Sequence, residues 1–327
     1  MSELCVIKCI LDDSFINDIE MIEVFVDTVC DPRNISSVVL SLNSNFPVPE
    51  LTHLKRVRLR DVLLFPCKDT SIHNVHEILK ERNFQTELLK NDVKKVRVAA
   101  TPPLVRHQYT KCHSMWPCNF HADKYLEKLC SNTLFSAKEV DKIWELMKIA
   151  KEVGNYSETP GKNDGVVIVD PKIDSIVAVG YDRTNEGPCR HAIMVALDNV
   201  AKTQNGGVWK TPHDNYSEEN NLNLAGIPQE ILTVLKKNYS DITFGSSVFI
   251  SNNEESEGPY LCTNYHVYST REPCVMCAMA LVHSRCKRIF YNEFSANGAL
   301  GTLCKIHTVK HLNHHYEVFV VENFMGK

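Results

Sequence analysis

The sequence lacks the features of membrane and secreted proteins. No apolar run approaches the roughly 18–20 residues that a transmembrane helix needs. The first ten residues contain no basic n-region and no small-residue cleavage site, so no signal peptide is predicted. The 13 cysteines are odd in number and irregularly spaced, which argues against a disulfide framework. We therefore expect reduced thiols, a metal site, no membrane partner and a location in the cytoplasm and nucleus.

No internal repeat is visible, and 327 residues are enough for two domains. Apolar residues make up 43% of the chain and charged residues 23%, which is typical of globular proteins. The net charge of −4 argues by itself against a nucleic-acid partner, but the charge is unevenly distributed. Residues 1–52 have a balance of −7, and residues 53–128 have a balance of +7. This local basic excess favours contact with a polyanion, although a solvated surface of mixed charge explains it about equally well.

Residues 1–100 alternate between short strands and helices. Runs of β-branched and apolar residues predict the strands, and apolar residues that share one face predict the helices. The strands are Leu4–Leu11, Met21–Val29, Leu54–Phe65 and Lys95–Ala100, and the helices are Asn34–Leu42 and Ser71–Asn83. The order β, β, α, β, α, β predicts a ferredoxin-like α+β domain at residues 1–100.

Residues 101–135 are predicted to be a linker that packs on the second domain. Two consecutive prolines, Pro102 and Pro103, interrupt the preceding pattern. Four potential metal ligands lie within ten residues: Cys112, His113, Cys118 and His121. Their spacing matches no zinc-finger pattern, so a linker that packs Trp116 and Phe120 against a neighbouring element is favoured over a metal site.

Residues 136–327 have the pattern of a second domain that mixes helices and strands. Ser136 and Glu139 form a capping box that begins a helix. Two apolar runs separated by a turn with Pro and Asp predict a β-hairpin at residues 166–180. Later helices are predicted at Arg190–Ala201 and Cys274–Ser284, and later strands at Tyr260–Thr270, Lys287–Tyr291 and Tyr316–Val321. Between about 203 and 258 the sequence is rich in Asn, Ser, Glu and Gly, which predicts a polar, exposed insertion.

Two motifs contain the residues that can do chemistry: Pro188-Cys-Arg-His-Ala-Ile193 and Pro273-Cys-Val-Met-Cys277. Each begins a predicted helix directly after a proline. Two helix N-termini side by side would bring one imidazole and two thiolates together, and a helix N-terminus favours the thiolate. Three protein ligands, His191, Cys274 and Cys277, with an open fourth position are typical of a catalytic zinc site. A Cys-x-x-Cys pair alone would also suit a redox pair or two core thiols, but the matching His-bearing helix favours Zn2+ as cofactor.

One residue of this zinc motif is missing. Zinc nucleobase deaminases have H-x-E followed by P-C-x-x-C, and the glutamate transfers protons. Ile193 stands at the position of that glutamate, and isoleucine cannot carry a proton. Asp198 is two helical turns from His191, roughly 10 Å along the axis, and Glu272 precedes the proline with no obvious route to a metal-bound water. Catalysis by this chain alone would therefore lose about 10²–10⁴-fold in rate.

Four histidines near the C-terminal end suggest a second metal site: His307, His311, His314 and His315. They lie between predicted strands in a polar segment. We expect them to be surface or core polar residues, because the zinc motif already accounts for the metal chemistry.

The motifs resemble a known family. The run Thr270-Arg-Glu-Pro-Cys-Val-Met-Cys-Ala-Met-Ala-Leu-Val-His-Ser-Arg285 is similar to the eukaryotic tRNA adenosine deaminases, and within them to the non-catalytic subunit, called Tad3 in fungi. Smaller similarities are Pro259–His266, Gly298–Gly301, Leu312–His314, Val318-Phe319, Trp116-Pro117, Phe120-His121 and His53–Arg58. The resemblance covers most of the chain and is strongest from about residue 160 onwards. Asn264 and His266 depart from the Gly and Asp of the family.

The resemblance implies a fold and a function. Residues 136–327 are expected to form a cytidine-deaminase-like domain, an α/β/α three-layer arrangement with a mixed sheet. Members of the family pair with a second deaminase-fold subunit that retains the glutamate, and the heterodimer converts adenosine to inosine at the wobble position of tRNA anticodons. The resemblance implies that this chain supplies support and binds tRNA through residues 1–100. Family members commonly have Val where this chain has Ile193, and the resemblance implies no catalytic residue here.

The basic segment supplies candidate tRNA contacts: Lys55, Arg56, Arg58, Lys94, Lys95 and Arg97. Two alternatives to the non-catalytic subunit remain open. One is an active nucleobase or nucleotide deaminase, such as a cytidine or deoxycytidylate deaminase, that uses an unrecognised acid/base. The other is an RNA-binding module whose deaminase fold is a relic without a partner.

Overall fold

The computed structural model describes residues 5–67, 72–209, 222–247 and 261–323. Its contacts divide the chain into two units. The smaller unit is Asp13–Cys130, and the larger unit combines Met1–Asp12 with Ser131–Lys327. None of the helices within the described ranges is long and apolar enough to cross a membrane.

The described residues contain strands and helices in both units. The strands are β1 (Cys5–Cys9), β2 (Met21–Thr28), β3 (Val57–Arg58), β4 (Asp61–Pro66), β5 (Lys94–Ala99), β6 (Gly165–Asp170), β7 (Ser175–Tyr181), β8 (Thr243–Phe244), β9 (His266–Arg271), β10 (Arg288–Glu293) and β11 (Glu317–Asn323). The helices are α1 (Asp13–Ile16), α2 (Ile35–Asn45), α3 (Val75–Glu81), α4 (Arg106–Met115), α5 (Lys124–Cys130), α6 (Ala137–Gly154), α7 (Ala192–Lys202), α8 (Gln229–Asn238) and α9 (Val275–His283).

The smaller unit has a four-stranded sheet in the order β3-β4-β2-β5, and neighbouring strands are antiparallel. Its elements follow the chain order β2, α2, β3, β4, α3, β5. The apolar residues Val38 and Leu42 of α2 and Val75 and Leu79 of α3 pack on one face of the sheet. Trp116 packs with α4 on the other face. Both faces of this sheet are therefore covered within the unit.

The predicted N-terminal elements form, but two of them differ from the prediction. β1 pairs with β11 of the larger unit, so it does not belong to the N-terminal sheet. The predicted strand Leu54–Phe65 is divided into β3 and β4. Leu59, between them, is 91% exposed and has a left-handed backbone with φ of 58°, because the chain reverses direction there.

The predicted linker at residues 101–135 is mostly part of the smaller unit. Its first thirty residues contain α4 and α5, and they cluster with the smaller unit as far as Cys130. Trp116 is fully buried among residues of that unit, and its indole nitrogen donates to the backbone oxygen of Lys55 at 2.6 Å. Burial of a tryptophan removes a large apolar area from water, so the packing of Trp116 attaches this segment to the smaller unit.

The larger unit has a seven-stranded mixed sheet in the order β1-β11-β10-β9-β6-β7-β8. β9, β10 and β11 are parallel, whereas β6 is antiparallel to both β7 and β9. α7 and α9 pack on one face through a cluster that includes Val166 and Ile168. α6 packs on the other face against β6 and β9. The predicted hairpin and the capping box of Ser136 and Glu139 are both confirmed.

The predicted polar insertion contains an ordered helix. α8 lies inside the interval 203–258 and buries Ile231, Leu232 and Leu235, which have helical spacing. Its C-terminal end is joined to α6, because Asn238 and Tyr239 both donate hydrogen bonds to the carboxylate of Glu152 in α6, at 2.8 and 2.9 Å. Two parts of the predicted insertion, residues 210–221 and 248–258, lie outside the described residues.

Candidate metal centre

The first turns of α7 and α9 form the candidate metal centre. His191 is the N-cap residue of α7, Cys274 is the N-cap residue of α9, and Cys277 lies in the first turn of α9. Gly180 on β7 allows α7 to approach the sheet. A Cβ atom at Gly180 would lie 2.4 Å from the backbone oxygen of Ala192, so a larger residue would push the helix away.

The three predicted ligands come together. The donor atoms of His191, Cys274 and Cys277 all lie within 4.8 Å of one another. Nδ1 of His191 is 3.6 Å from Sγ of Cys274 and 3.6 Å from Sγ of Cys277. Tetrahedral zinc with bonds of about 2.3 Å to sulfur and about 2.0–2.1 Å to nitrogen places those two atom types about 3.6 Å apart. The ligand set and its spacing therefore fit zinc.

The two thiols of the site influence each other's protonation. A hydrogen bond from Cys277, with a smaller contribution from His191, lowers the pKa of Cys274 to about 5. The same hydrogen bond and burial raise the pKa of Cys277. The site thus stabilises negative charge on the sulfur of Cys274, and the thiolate is the form that binds a metal.

Within the described residues, the other suggested cysteine and histidine groups do not bring three donor atoms together. Across the described ranges, His191, Cys274 and Cys277 are the one group of three His, Cys, Asp or Glu side chains whose donor atoms meet. Cys112 and Cys118 are buried in the apolar core of the smaller unit. The rings of His307 and His314 donate hydrogen bonds to backbone oxygens, those of Ile10 and Cys286, at 2.8 and 2.6 Å. These two histidines therefore hold the backbone in place, and the sequence predicts surface or core polar residues for all four.

Ile193 lies in the first turn of α7, two residues after His191. Its side chain is only 4% exposed and packs in the same apolar cluster as Val166 and Cys277. It also lines a cavity of about 310 Å³ beside the three ligands. An apolar wall thus stands where a deaminase needs its proton-transferring carboxylate.

Three carboxylates line the same cavity, and each is held by neighbouring donors. Asp164 accepts from Nε of Arg271 at 2.7 Å. Burial by itself raises the pKa of Asp182, but hydrogen bonds from Thr184 and Thr159 and the charge of Lys162 together outweigh it, so the pKa is lowered. A carboxylate with a lowered pKa is a weak proton acceptor near neutral pH.

Glu272, the third of these carboxylates, is 3% exposed and holds the loop that follows β10. It accepts hydrogen bonds from the backbone N–H groups of Ser295, Leu300 and Thr302, at 3.2, 3.0 and 3.0 Å. A Cβ atom at Gly298 would lie 2.0 Å from the carboxyl group, so only glycine fits there. Glu272 is therefore a structural residue of the cavity wall.

Asp198, two helical turns from His191, is also engaged elsewhere. Its two oxygens accept from the backbone N–H groups of Val208 and Trp209, at 2.6 and 3.3 Å. It fixes the chain after α7 and does not belong to the cavity lining.

The loop before His191 contains an ionic cluster that the sequence motifs do not predict. Glu186 accepts hydrogen bonds from Arg183 at 2.5 Å and forms an ion pair with Arg190. The side chain of Arg183 is 4% exposed. The guanidinium of Arg190 lies 5.5 Å from the ring centroid of Trp209. The i, i+3 and i, i+4 spacing of opposite charges is a signal for such a cluster, although it is usually used for helices.

Two of the six candidate tRNA contacts are engaged with other residues of the smaller unit. Arg56 donates to the backbone oxygens of Phe46 and Leu64, both at 2.8 Å, and burial lowers its pKa to about 10. The guanidinium of Arg58 lies 4.7 Å from the ring centroid of Trp116. Both side chains hold the unit together.

The other four candidates are exposed: Lys55, Lys94, Lys95 and Arg97. The last three share β5, which is an edge strand of its sheet. Lys94 and Lys95 have acidic neighbours at 2.5 and 3.6 Å, and both pairs are themselves exposed. Exposed pairs of this kind are weak and leave the ammonium groups available to a stronger anion.

Comparisons with known proteins agree with the geometry. A family model described as the cytidine and deoxycytidylate deaminase zinc-binding region matches residues 139–293. A Danio rerio protein named "Probable inactive tRNA-specific adenosine deaminase-like protein 3" is 34% identical over 95% of this chain and 89% of its own length. A Homo sapiens protein with the same name is 32% identical over 95% of this chain and 87% of its own length. An Arabidopsis thaliana protein named "tRNA-specific adenosine deaminase TAD3" is 26% identical over 89% of this chain and 88% of its own length.

Proposed function

This chain belongs to the Tad3 family of tRNA-specific adenosine deaminase subunits, and we propose that it is the zinc-binding, non-catalytic subunit of a heterodimeric tRNA adenosine deaminase. In this proposal, a second deaminase-fold subunit provides the proton-transferring glutamate. The pair converts adenosine to inosine at the wobble position of tRNA anticodons. This chain supports the catalytic subunit and binds tRNA.

The combination of a complete metal-ligand set with Ile193 is the observation that carries the proposal. His191, Cys274 and Cys277 have the spacing that zinc requires. The residue that would move the proton is apolar and buried. The carboxylates that line the cavity are engaged in hydrogen bonds or ion pairs within the larger unit. An active enzyme with an unrecognised acid/base is therefore disfavoured.

Zinc in this site would act as a structural element. When bound, it would neutralise the two thiolates and join the N-termini of α7 and α9. His191 would hold it through Nδ1, and Cys274 and Cys277 through their sulfur atoms. The two helices belong to segments that are 83 residues apart in the chain. Loss of the metal should therefore loosen the face of the sheet that they cover.

The smaller unit is proposed to be a ferredoxin-like domain that contacts tRNA. Its order β-α-β-β-α-β and its sheet order β3-β4-β2-β5 support this fold. Since both faces of its sheet are covered, RNA would contact its edges and loops. Lys94, Lys95 and Arg97 on the edge strand β5, together with Lys55, are the proposed phosphate contacts.

Inosine formation on a tRNA with adenosine at the wobble position tests the proposal. The chain would be purified alone, the catalytic partner alone, and the two together. We expect inosine only from the mixture, because the proton-transferring carboxylate and this chain's support are then combined. Zinc content of the purified chain, expected to be one ion per chain, is measured in parallel.

The alternatives give different results in the same assay. Inosine formed by this chain alone would mean an active deaminase with another acid/base. A partner that is equally active without this chain would mean that this chain is an RNA-binding module outside the enzyme. Either result would refute the proposed function.

A further inference from the structure

The larger unit contains a second cavity, of about 280 Å³, between α6 and the carboxyl ends of β9 and β10. Its α6 wall contains Trp144, Lys148 and Lys151, and its strand wall contains Thr270 and Asn292. It shares no lining residue with the cavity of the metal centre. We infer that this cavity binds one unpaired nucleotide of an RNA strand, with the base against Trp144 and the phosphate at the two lysines. The inference rests on the proposed function.

The size and the aromatic wall of the cavity favour a nucleobase. A volume of about 280 Å³ is at the lower end of ligand pockets, so a single base or a short side chain is the largest occupant. Trp144 is half-buried, so one part of its ring is fixed by packing and another part borders the cavity. Nζ of Lys148 already lies 5.4 Å from the centroid of this ring. Proteins that bind single-stranded RNA combine this kind of aromatic surface with nearby cations.

The polar groups of the strand wall are oriented by existing hydrogen bonds. Oγ1 of Thr270 accepts from the backbone N–H of Gly165 at 3.0 Å, so its own hydrogen can be donated to a ligand. The amide nitrogen of Asn292 donates to the backbone oxygen of Val321 at 2.6 Å, which leaves the side-chain oxygen as an acceptor. A donor and an acceptor beside an aromatic ring suit the edge of a base.

The charge at the mouth of the cavity favours a phosphate. Lys148 and Lys151 are exposed and lie about one helical turn apart on α6. Glu293, the acidic residue of the lining, is 3.5 Å from the guanidinium of Arg271 and so already has a cationic partner. Glu152, next to Lys151 in sequence, accepts hydrogen bonds from α8 and the residue that follows it. Lys148 and Lys151 thus place two exposed ammonium groups in the lining of the cavity.

The position of the cavity relates it to the metal centre. Thr270 lines this cavity, and its neighbours Ser269 and Arg271 line the cavity of the metal centre. Successive side chains of a strand point to opposite faces of the sheet. The two cavities therefore lie on opposite faces of the sheet at the same end of β9.

Tryptophan fluorescence and RNA affinity test the inference on the full chain in complex with its catalytic partner. The probe is a short oligoadenylate RNA. We expect the RNA to quench the fluorescence of Trp144, and Trp144→Leu to remove that quenching and weaken binding about tenfold. Trp144→Phe, which keeps an aromatic face, should retain most of the affinity. Lys148→Gln and Lys151→Gln should each weaken binding and reduce the salt slope by about 0.7.

The matched control is Lys236→Gln, which removes the same charge from an exposed position on α8 of the same unit. It should leave affinity and salt slope unchanged. The inference is overturned if Trp144→Leu binds RNA as tightly as the natural chain, or if a polyglutamate peptide quenches Trp144 and RNA does not. A complex that forms inosine while all variants bind RNA equally would overturn the nucleotide site and leave the proposed function intact. A complex that forms no inosine would overturn the proposed function instead.

Discussion

At the level of single residues, one metal ligand and the position of the missing proton carrier lie within one turn of α7. His191 and Ile193 are two residues apart on α7, yet one directs a nitrogen to the sulfur ligands and the other packs in the apolar cluster. The sequence predicts both roles, because residue type alone distinguishes a metal ligand from a hydrocarbon. Substitution at each position should therefore have a different measurable effect.

Ile193→Ala should affect stability and leave the chemistry unchanged. Removing a buried isoleucine side chain costs about 2–5 kcal/mol of folding free energy, whereas Ile193→Val costs about 0.5–1.5 kcal/mol. Urea unfolding of the purified chain measures both. The rate of inosine formation per folded complex should stay within about twofold of the natural rate. A larger loss of rate in complexes that are still folded would show that Ile193 contributes to the reaction.

Cys274→Ala should remove the metal and destabilise the chain. Loss of a metal is among the few single changes that cost about 3 kcal/mol or more. Zinc content and the midpoint of thermal unfolding are the measurements. Cys189→Ala is the matched control, since Cys189 is exposed and lies two residues before His191 without joining the ligand group. If Cys274→Ala and Cys189→Ala melt at the same temperature, zinc is not a structural element here.

His266 should make the larger unit sensitive to acid. Burial, with the nearby cations Arg288 and Lys287, lowers the pKa of His266 to about 3. In the unfolded chain the pKa is about 6.5, so the unfolded state takes up a proton first as the pH falls. The contribution of neutral His266 to the free energy of unfolding is therefore fully present above about pH 6.5. Below this pH it is lost, by up to roughly 1.4 kcal/mol per pH unit. Urea unfolding between about pH 7 and pH 5.5 measures this slope.

His266→Gln should reduce the slope, because it removes the titrating group. Burial also lowers the pKa of His307, which acts in the same direction, so part of the slope should remain. The exposed His311 provides the control, and His311→Gln should keep the full pH dependence. An unchanged slope in His266→Gln would contradict the assignment.

At the level of elements, the first turns of α7 and α9 and the loop after β10 build the site together. Short contacts between backbone and side chain fix their relative positions: Gly180 lets α7 approach β7, and Gly298 lets the loop pass the carboxylate of Glu272. The sequence predicts α7 and α9 within two residues at each end, since prolines and ligand motifs mark their beginnings. It does not predict the loop, because the hydrogen bonds that Glu272 accepts come from residues that are distant in the chain.

Gly298→Ala should strongly destabilise this loop. The added Cβ would lie 2.0 Å from the carboxyl carbon of Glu272, so the loop or the carboxylate must move. Such overpacking costs about 1–3 kcal/mol or more, and urea unfolding measures it. Gly187→Ala serves as the control, because its Cβ would meet nothing nearer than 3.6 Å. Equal stability of the two variants would show that Glu272 can move away without cost.

At the level of the whole molecule, what each unit can bind depends on which of its charged side chains are exposed and which are buried. The basic excess of residues 53–128 predicts a polyanion partner, but the structure divides these side chains between interior and surface. Arg56 belongs to the interior through its bonds to backbone oxygens. Lys94, Lys95 and Arg97 belong to the exposed edge of β5.

Reversing the charge of Lys94, Lys95 and Arg97 to glutamate should weaken tRNA binding and flatten its salt dependence. Each lost phosphate contact lowers the salt slope by about 0.9. Binding is measured by filter retention over a series of salt concentrations. Arg56→Gln is the contrasting variant: it should lower stability, because it removes hydrogen bonds from a charged donor, and it should keep the salt slope of the folded protein. A slope that the triple reversal leaves unchanged would exclude β5 as a contact.

Local sequence patterns are sufficient to predict most elements of the larger unit and the chemistry of the candidate site. The hairpin of β6 and β7, the helices α7 and α9 and the ligand set follow from these patterns, because turn residues, prolines and residue types act over a few positions. The loss of the proton-transferring carboxylate at Ile193 is also predicted from the sequence alone, because it depends only on the residue type at that position.

Which distant residues meet depends on tertiary packing. The folded chain joins β1 to β11, places Trp116 in the core of the smaller unit, and engages Asp198 and Glu272 with backbone donors farther along the chain. It also separates the half-buried Arg56 from the exposed cations of β5. These outcomes depend on long-range packing and on the need to provide hydrogen-bond partners for buried polar groups. Neither effect produces a regular local pattern of residues, so a single sequence does not predict it.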